Sequence, residues 1–461
     1  MTNCKYLDIS QYAPLATPID FDRELVIRDL SVVEDPCRTT NHPVVGCSPS
    51  EIGVWTFGRL MKHMSGNTPP EQFVAEWLDT FENPQSVNGF PVPPRGNIRS
   101  QLIDPWLVAS GCHAGDPIVG PGACALDLSI SPLLLSAVVN RVDLSGPSYG
   151  ADNPGEARFV FTMVRLQVNT GPKVDPAKER EVYLKRVAEN GGQIVGGSLK
   201  GTVILEYRIP RDQKIQDWTQ SWHKLSDIPL GTPDFNNHLQ SLTDIFSSQG
   251  ADMKQPNLGS SIGQVRTNEI SLGNDGIWEM REFTLQDVGL GWDQFGLRND
   301  TTKQTPDDSM NNDPALDAWM LANEPLIMDV DHVVPNGFMG GISRETFFVW
   351  EPGVVPPMDP LAHHHFSLTT CNGCHTNATS TGFTHVDPRS VGSVSNLSGF
   401  LGVSPAPDAA NDGLPNTVFT TPDELTGAAR EYNEPWRRVC EVARILNNDP
   451  DPYTRQNGGV H

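Results

Sequence analysis

Apolar residues recur at helical spacing in several stretches before the C-terminal part of the chain. Residues three and four positions apart share one face of an α-helix, so such a stripe predicts a helix that packs on a core. The stripes predict helices from about Ser50 to Met64, from Pro70 to Phe81, around 215–225, around 235–246 and from Pro314 to Ile327.

Runs rich in β-branched and aromatic residues lie between these stripes and predict strands. The predicted strands are 157–166, 201–209, 264–272, 277–285 and 347–350. The third and fourth flank the turn Gly273–Gly276, so we expect them to pair as neighbours. An apolar run from Pro132 to Leu144 precedes the first of them.

Segments rich in glycine, proline or charge separate these elements. We predict a loop at 84–125, a charged insertion at 170–200 and an irregular span at 388–420. One long helix is predicted from about Pro422 to Leu446, interrupted or kinked at Pro435. Strands and helices mix without regular βαβ alternation, which predicts an α+β fold with a mixed, mainly antiparallel sheet.

The C-terminal part carries the single Cys-x-x-Cys-His sequence of the chain, at Cys371, Cys374 and His375. This spacing is the attachment signature of a c-type haem. Each thiol can form a thioether to one porphyrin edge, while the adjacent histidine supplies an axial nitrogen to the iron. We therefore predict one haem c held by these three residues.

Three other interpretations of the motif stay open. The same residues could bind zinc, with a fourth ligand from a nearby histidine. They could form a thioredoxin-type dithiol, although that motif should follow a strand and open a helix in a βαβ unit, and the residues before Cys371 do not have that pattern. They could also form an ordinary disulfide.

The sixth iron ligand would decide what such a haem does. Asp359-Pro360 predicts a helix start, and consecutive helical residues lie about 100° apart. At most one histidine of the run His363 to His365 should therefore bind iron, and we favour His364 or His365. The alternatives are His363, His385, His332, Met358 and an open site. Met358 is the last methionine of the chain, so the later methionine of small cytochromes c is absent.

Composition narrows the partners. The 461 residues carry 33 basic and 56 acidic side chains, a formal charge of −23, which argues against nucleic acid or an anionic membrane surface as a partner. No run of 18 apolar residues occurs, so we predict no transmembrane segment. An Asn/Asp-rich loop at 299–313 could hold calcium, but it lacks the spacing of an EF-hand.

Six further cysteines suit three disulfides in an oxidising compartment. We predict the pairs Cys37 with Cys47, Cys112 with Cys124, and Cys4 with Cys440. Since haem is normally attached after export, we expect a periplasmic or extracellular protein. The first residues lack the pattern of a signal peptide, so we expect that an export signal was removed or that Met1 is an artificial start.

Several segments resemble a set of uncharacterised large secreted bacterial proteins that carry one c-type haem motif, and not the small class I cytochromes c. The segments are AVVNRVDL (137–144), GEARFVF (155–161), VILEYRIP (203–210), IGQVRTNEI (262–270), WEMREF (278–283) and FSLTTCNGCHT (366–376). The resemblance covers roughly residues 125–400. It implies one structural unit, export, thioether attachment at Cys371 and Cys374, and a proximal ligand at His375.

Together these patterns divide the chain into three parts. Residues 1–125 form a helical and loop-rich arm with disulfides, 126–350 an α+β body, and 351–461 a helix- and loop-rich haem-binding segment. The leading hypothesis is an exported monohaem c-type cytochrome-like protein that exchanges single electrons with a redox partner protein or a small-molecule donor or acceptor. The alternatives are a haem-dependent oxidase or peroxidase with an open iron, and a zinc- or disulfide-stabilised extracellular binding or assembly protein.

Overall fold

A computed structural model gives the fold. It describes residues 15, 17–40, 47, 53–145, 154–210, 212–251, 259–287, 295–345, 350, 358–403 and 418–448. A main antiparallel sheet lies at its centre with helices packed against it. The predicted α+β class is therefore confirmed.

The main sheet has eight strands among the described residues. They are β1 (Val26–Ile27), β4 (Leu133–Arg141), β5 (Glu156–Leu166), β6 (Gly196–Arg208), β7 (Ile262–Glu269), β8 (Glu279–Asp287), β9 (Phe295–Asp300) and β10 (Ser343–Arg344). The order is β1-β4-β5-β6-β7-β8-β10, and β9 also pairs with β8. Two separate hairpins are formed by β2 (Gln85–Val87) with β3 (Phe90–Val92), and by β11 (Phe419–Pro422) with β12 (Ala429–Tyr432).

The helices surround this sheet. They are α1 (Phe21–Glu24), α2 (Leu30–Val33), α3 (Phe57–Met64), α4 (Pro70–Glu82), α5 (Asp104–Ala109), α6 (Pro176–Glu189), α7 (Ile215–His223), α8 (Pro233–Ser247), α9 (Pro314–Ala322), α10 (Glu324–Met328), α11 (Pro360–Leu368), α12 (Cys371–Cys374), α13 (Gly399–Gly402) and α14 (Glu434–Leu446). Several begin with Asp-Pro, as at Asp175, Asp313 and Asp359, whose carboxylates accept backbone N–H groups of the first turn. Proline suits the next position because its missing N–H is not needed there.

One face of the sheet is apolar and packs against helices. Phe283 of β8 contacts Trp77 and Phe81 of α4, and Tyr207 of β6 contacts Phe246 of α8. All five rings are buried. The main apolar cluster extends from Phe21 to Ile445, so the three predicted parts share one core.

The opposite face of the sheet is charged although it is also buried. Arg158 pairs in register with Glu206, and Arg266 with Glu282. The Nε atoms of these arginines lie 3.3 Å from Glu206 Oε1 and 3.2 Å from Glu282 Oε1, respectively. Buried charges are costly unless they are paired, which explains why opposite charges alternate across these strands.

The C-terminal segment covers this charged face. The carbonyl of Phe383 accepts a hydrogen bond from Asn268 of β7 at 2.7 Å. The Nε of Arg389 donates to the carbonyl of Leu135 in β4 at 2.8 Å. Residues 358–403 thus form a layer on the sheet.

Some predicted elements were wrong. The predicted loop at 84–125 contains the β2–β3 hairpin, a π-helical turn at Arg99–Ile103, and α5. The insertion at 170–200 contains α6, and the helix predicted at 314–327 is split into α9 and α10. The predicted terminal helix is the β11–β12 hairpin followed by α14. Pro435 occupies the first turn of α14, where it starts the helix and does not kink it.

Other predictions were confirmed. The helix at 70–81, both helices at 215–225 and 235–246, and the four strands between 157 and 285 are all present within a few residues. The first predicted helix starts later, at Phe57, and most of the strand predicted at 347–350 lies outside the described residues. None of the helices in the described part of the chain has the length and hydropathy of a membrane-spanning helix.

A buried ion network joins α14 to the end of β4. Asp143 accepts hydrogen bonds from Arg141 Nε at 2.8 Å and from Arg437 Nη2 at 2.7 Å. Burial by itself raises the pKa of Asp143, but the two arginines hold it well below its usual value. The carboxylate therefore stays charged and balances two buried cations.

Replacing Asp143 with alanine should lower the free energy of unfolding by about 3–5 kcal/mol, because both arginines would stay buried without this counter-charge. Denaturant unfolding followed by circular dichroism measures the change. Glu189→Ala is the control, since Glu189 forms an exposed pair with Lys185, and removing such a pair costs less than about 1 kcal/mol. Equal losses in both variants would contradict the prediction.

Candidate cofactor site

The motif lies on a single helical turn directly after α11. Helix α11 ends at Leu368, and Thr370 caps α12 by accepting the backbone N–H of Gly373 at 3.1 Å. Cys371 and Cys374 are the first and last residues of α12, and His375 follows as its C-cap. The sequence thus places both sulfurs and the imidazole on one compact turn.

Gly373 is required by the packing of this turn. A Cβ atom at this position would lie 2.0 Å from the carbonyl oxygen of Ser367 in α11. That contact is with backbone, so no side-chain rotation could relieve it. The close packing of α12 against the end of α11 therefore explains why position 373 is glycine.

Both thiols face the protein body. Cys371 and Cys374 are 3% and 1% exposed. Cys371 Sγ lies 4.0 Å from Glu282 Oε1, and Cys374 Sγ lies 3.4 Å from His385 Nε2. Burial raises the pKa of Cys371 to about 12 and also raises that of Cys374. Dithiol exchange needs a thiolate, so these environments disfavour a thioredoxin-type function.

His375 is held in one tautomer. Its Nδ1 lies 2.7 Å from the carbonyl of Phe383, and only a protonated Nδ1 can donate to a carbonyl. Its ring stacks on Trp278 with centroids 5.6 Å apart. Burial lowers the pKa of His375 to about 4. The imidazole is therefore neutral near pH 7 and carries its lone pair on Nε2, as a metal ligand requires.

His385 lies beside the motif and is oriented in a similar way. Its Nδ1 is 2.9 Å from Ser398 Oγ, which leaves Nε2 directed at Cys374. Its ring centroid is 4.6 Å from that of His375. Burial lowers its pKa well below the usual value. The sequence offered His385 as a sixth ligand, but its contact with Cys374 was not foreseen.

That short distance argues against His385 as the sixth ligand of the same iron. Two imidazole nitrogens about 2 Å from one metal on opposite sides are about 4 Å apart, and the ring centres are then roughly 6 Å apart. At 4.6 Å the rings of His375 and His385 leave no room for a porphyrin between them.

The histidines of α11 have other partners. His364 lies between Glu424 and Tyr432, which contact its Nδ1 and Nε2. His365 Nδ1 is 2.8 Å from the carbonyl of Met328. These partners of His364 and His365 are not the residues that contact His375. His332 Nε2 is 3.1 Å from Thr369 Oγ1.

The remaining ligand predictions concern Met358, as an iron ligand, and the loop 299–313, as a calcium site. Met358 packs in an apolar cluster with Trp350 and Phe366. In the described chain, the triads of potential ligand atoms within 4.8 Å of one another are His364 with Asp423 and Glu424, and Cys112 with Asp116 and Cys124. Neither triad includes a residue of the Cys-x-x-Cys-His motif or of the loop 299–313. Calcium binding in that loop therefore stays a prediction.

The two local disulfides are confirmed. Cys37 bonds to Cys47 and Cys112 to Cys124, with Cα atoms 5.2 and 6.3 Å apart. The second bond engages both sulfurs of the Cys112 triad. Cys4 lies outside the described residues, so its pairing with the buried Cys440 stays a prediction.

The residues fit a c-type haem in part. His375 has the tautomer and neutrality of an axial ligand. The surroundings of the two sulfurs would have to change, because a porphyrin joined to both would replace their contacts with Glu282 and His385.

Comparisons with known protein families, with curated proteins and with solved structures found no match to this chain.

Gly373→Ala should lower the free energy of unfolding by about 1–3 kcal/mol, as expected for an overpacked site. Gly382→Ala is the matched control in the same segment, since nothing lies within 4 Å of its added Cβ. Thermal and denaturant unfolding of both variants measure the effect. If the two variants unfold alike, the close contact with Ser367 does not constrain the motif.

His332 should make stability depend on pH. Burial lowers its pKa from 6.5 to about 4, so between these values the unfolded chain binds a proton that the folded protein does not. Stability is then lost as pH falls through this window, by up to about 1.4 kcal/mol per pH unit. His332→Gln should reduce the difference between unfolding energies at about pH 7 and about pH 5. The exposed His113→Gln should leave it unchanged, and an equal slope in wild type and His332→Gln would contradict the prediction.

Proposed function

We propose that this chain is an exported monohaem c-type cytochrome-like protein that transfers single electrons. The proposal depends on the orientation of His375 within the Cys-x-x-Cys-His motif. Its Nδ1 donates to the Phe383 carbonyl, so Nε2 is the nitrogen that could bind a metal. Cys371 and Cys374 would hold the group covalently. A c-type haem supplies a one-electron iron couple.

The surroundings of His375 support this role. Asn268 donates to the same Phe383 carbonyl and accepts a hydrogen bond from Trp278 Nε1. Trp278 in turn stacks on the imidazole. These contacts fix the ring orientation and keep water away from it, and such outer partners tune a metal ligand.

The contacts also bear on the sixth position. His364 has both ring nitrogens engaged, and His385 lies too close to His375. If a haem were attached at the motif, neither His364 nor His385 would be its second protein ligand without repacking. An open iron would suit the oxidase or peroxidase alternative.

A second candidate function is a structural metal site that fastens the C-terminal segment to the sheet. Zinc bonds of about 2.3 Å to sulfur and 2.0 Å to nitrogen place two tetrahedral ligands about 3.5 Å apart. The 3.4 Å between Cys374 Sγ and His385 Nε2 matches that value. Cys371 and His375 would complete the site after a local closure of the turn.

Compartment and partners follow from the same proposal. The two disulfides favour an oxidising compartment, in agreement with periplasmic or extracellular haem attachment. The partner would be a redox protein or a small-molecule electron donor or acceptor.

The test is to export the full chain in a bacterium that assembles c-type cytochromes and to analyse the purified protein. The proposal expects one haem that survives denaturation, detected by intact mass and by a sharp reduced absorption band. Cys371→Ala and Cys374→Ala should abolish double thioether attachment, while His238→Ala, remote from the motif in sequence, should retain it. A shift of the reduced spectrum with carbon monoxide would identify an open iron.

Metal analysis of the same sample separates the two candidates. One equivalent of zinc without porphyrin, lost in His385→Ala, would replace the haem proposal with the structural metal site. Protein that is folded but holds neither haem nor metal would contradict both.

A further inference from the structure

A group of possible metal ligands lies away from the Cys-x-x-Cys-His motif, between α11 and the β11–β12 hairpin. It consists of His364 on α11 and of Asp423 and Glu424, which directly follow β11. One ligand atom of each residue lies within 4.8 Å of those of the other two. Atoms bound to one ion at about 2.0–2.2 Å are up to about 4.4 Å apart, so these three atoms are close to the separations that a single ion requires.

The imidazole of His364 is directed at this group. Its Nδ1 lies 2.7 Å from Glu424 Oε2, and its Nε2 contacts the hydroxyl of Tyr432. Because a carboxylate accepts, Nδ1 carries the hydrogen of this contact. An ion that took the place of this hydrogen would keep both ligand atoms as neighbours. The ring would then donate from Nε2 to Tyr432, and a metal-binding histidine usually donates its other N–H in this way.

Glu424 has one oxygen that is buried and has no partner. Its side chain is 3% exposed, as is that of His364. Its Oε1 has no hydrogen-bond partner among the described residues. Such a buried oxygen costs free energy unless another group satisfies it. A cation bound between Glu424 and His364 would satisfy it, which is a separate reason to expect a ligand at this place.

Asp423 is fixed in position by its own hydrogen bonds. Its Oδ2 accepts Nε and Nη2 of Arg430 at 2.9 and 2.6 Å, and its Oδ1 accepts the backbone N–H of Thr426 at 2.8 Å. Carboxylates that bind metals are commonly hydrogen-bonded in this way. Arg430 therefore balances the charge of Asp423, and the charge of Glu424 is left to His364 or to a bound cation.

A surface cleft gives an ion access to the group. The cleft measures about 550 Å³, and both Asp423 and Glu424 belong to its lining. Glu345 is the third acidic residue of this lining, and none of the described lining residues is basic. Clefts lined by one sign of charge raise the local concentration of ions of the opposite sign. The cleft therefore favours the entry of cations.

We propose that His364, Asp423 and Glu424 bind one divalent transition-metal ion of the Mn²⁺ or Zn²⁺ type, which joins α11 to the β11–β12 hairpin. One imidazole nitrogen together with carboxylate oxygens suits these ions, whereas Ca²⁺ takes oxygen ligands. The imidazole stays neutral, because its hydrogen moves from Nδ1 to Nε2 as the ion binds. The site is separate from the motif and depends neither on a haem nor on a zinc ion there.

The test titrates the full chain, freed of metal with a chelator, with Mn²⁺ and follows the electron paramagnetic resonance signal of the free ion. Mn²⁺ is the probe because carboxylates suit it and thiolates select other ions, so Cys371 and Cys374 should not compete for it. The expected result is one equivalent bound per chain and displaced by excess Zn²⁺, which binds a given site more tightly. A chain that binds no Mn²⁺ would overturn the proposal.

Variants assign the bound ion to these residues. His364→Ala and Glu424→Gln each remove a ligand and should lower the Mn²⁺ affinity by at least about a hundredfold, whereas Tyr432→Phe removes only an outer partner and should lower it by about 10–100-fold. The matched control is Glu431→Gln, since Glu431 is an exposed residue of the same hairpin, and it should bind Mn²⁺ as the wild type does. Wild-type affinity in Glu424→Gln would show that the ion binds elsewhere.

Pulsed electron paramagnetic resonance on the unmodified protein provides a readout that needs no folded variant. Bound Mn²⁺ should couple to one directly bound imidazole nitrogen, and a bound ion without a nitrogen ligand would contradict the assignment of His364. His385→Ala should leave Mn²⁺ binding unchanged, and its loss there would place the ion at the motif. Exported protein that binds Mn²⁺ at His364 but carries no haem would contradict the proposed function alone.

Discussion

The buried charges between the main sheet and the C-terminal segment fix the positions of the residues that orient His375. Arg266 of β7 lies between Glu206 and Glu282, with the three side chains almost fully buried. Because strand residues alternate between faces, a slip of one position would move Arg266 into the apolar core. The pairing therefore fixes the register of β7, and with it Asn268, which holds the Phe383 carbonyl that orients His375.

Much of the fold could be predicted because its elements have a clear period. Phe159 and Phe161 in β5 lie two positions apart and face the same apolar core. Helix α6 was missed because only Tyr183 and Val187 of its fourteen residues are buried, so it lacks the apolar stripe that reveals a packed helix. Pro435 was misjudged for a different reason: proline breaks a helix in its interior but suits its first turn, and the position of the cap at Asn433 decides between them.

The candidate site could be predicted only as far as it is local in sequence. The turn from Cys371 to His375 follows from its motif, and helical geometry separates the histidines of α11. The partners of His364 could not be found in the same way. Glu424 and Tyr432 belong to or border the β11–β12 hairpin, which the sequence pattern indicated as helix. Because a helix was predicted there, the sequence pattern did not indicate that Glu424 and Tyr432 lie next to His364.

The packing of the segment also limits how a cofactor could enter. Cys371 and Cys374 are almost fully buried where the segment lies on the sheet, so a group joined to both sulfurs would require this packing to open or to form after attachment. The turn is shaped from within the segment by Thr370, Gly373 and Ser367, and from outside it by Thr305, whose Oγ1 accepts the backbone N–H of Cys371 at 2.8 Å. Asn268 of β7 and Trp278, which precedes β8, lie against His375. The orientation of the His375 imidazole therefore depends on the buried charged face, because that face fixes Asn268 and Asn268 holds the Phe383 carbonyl.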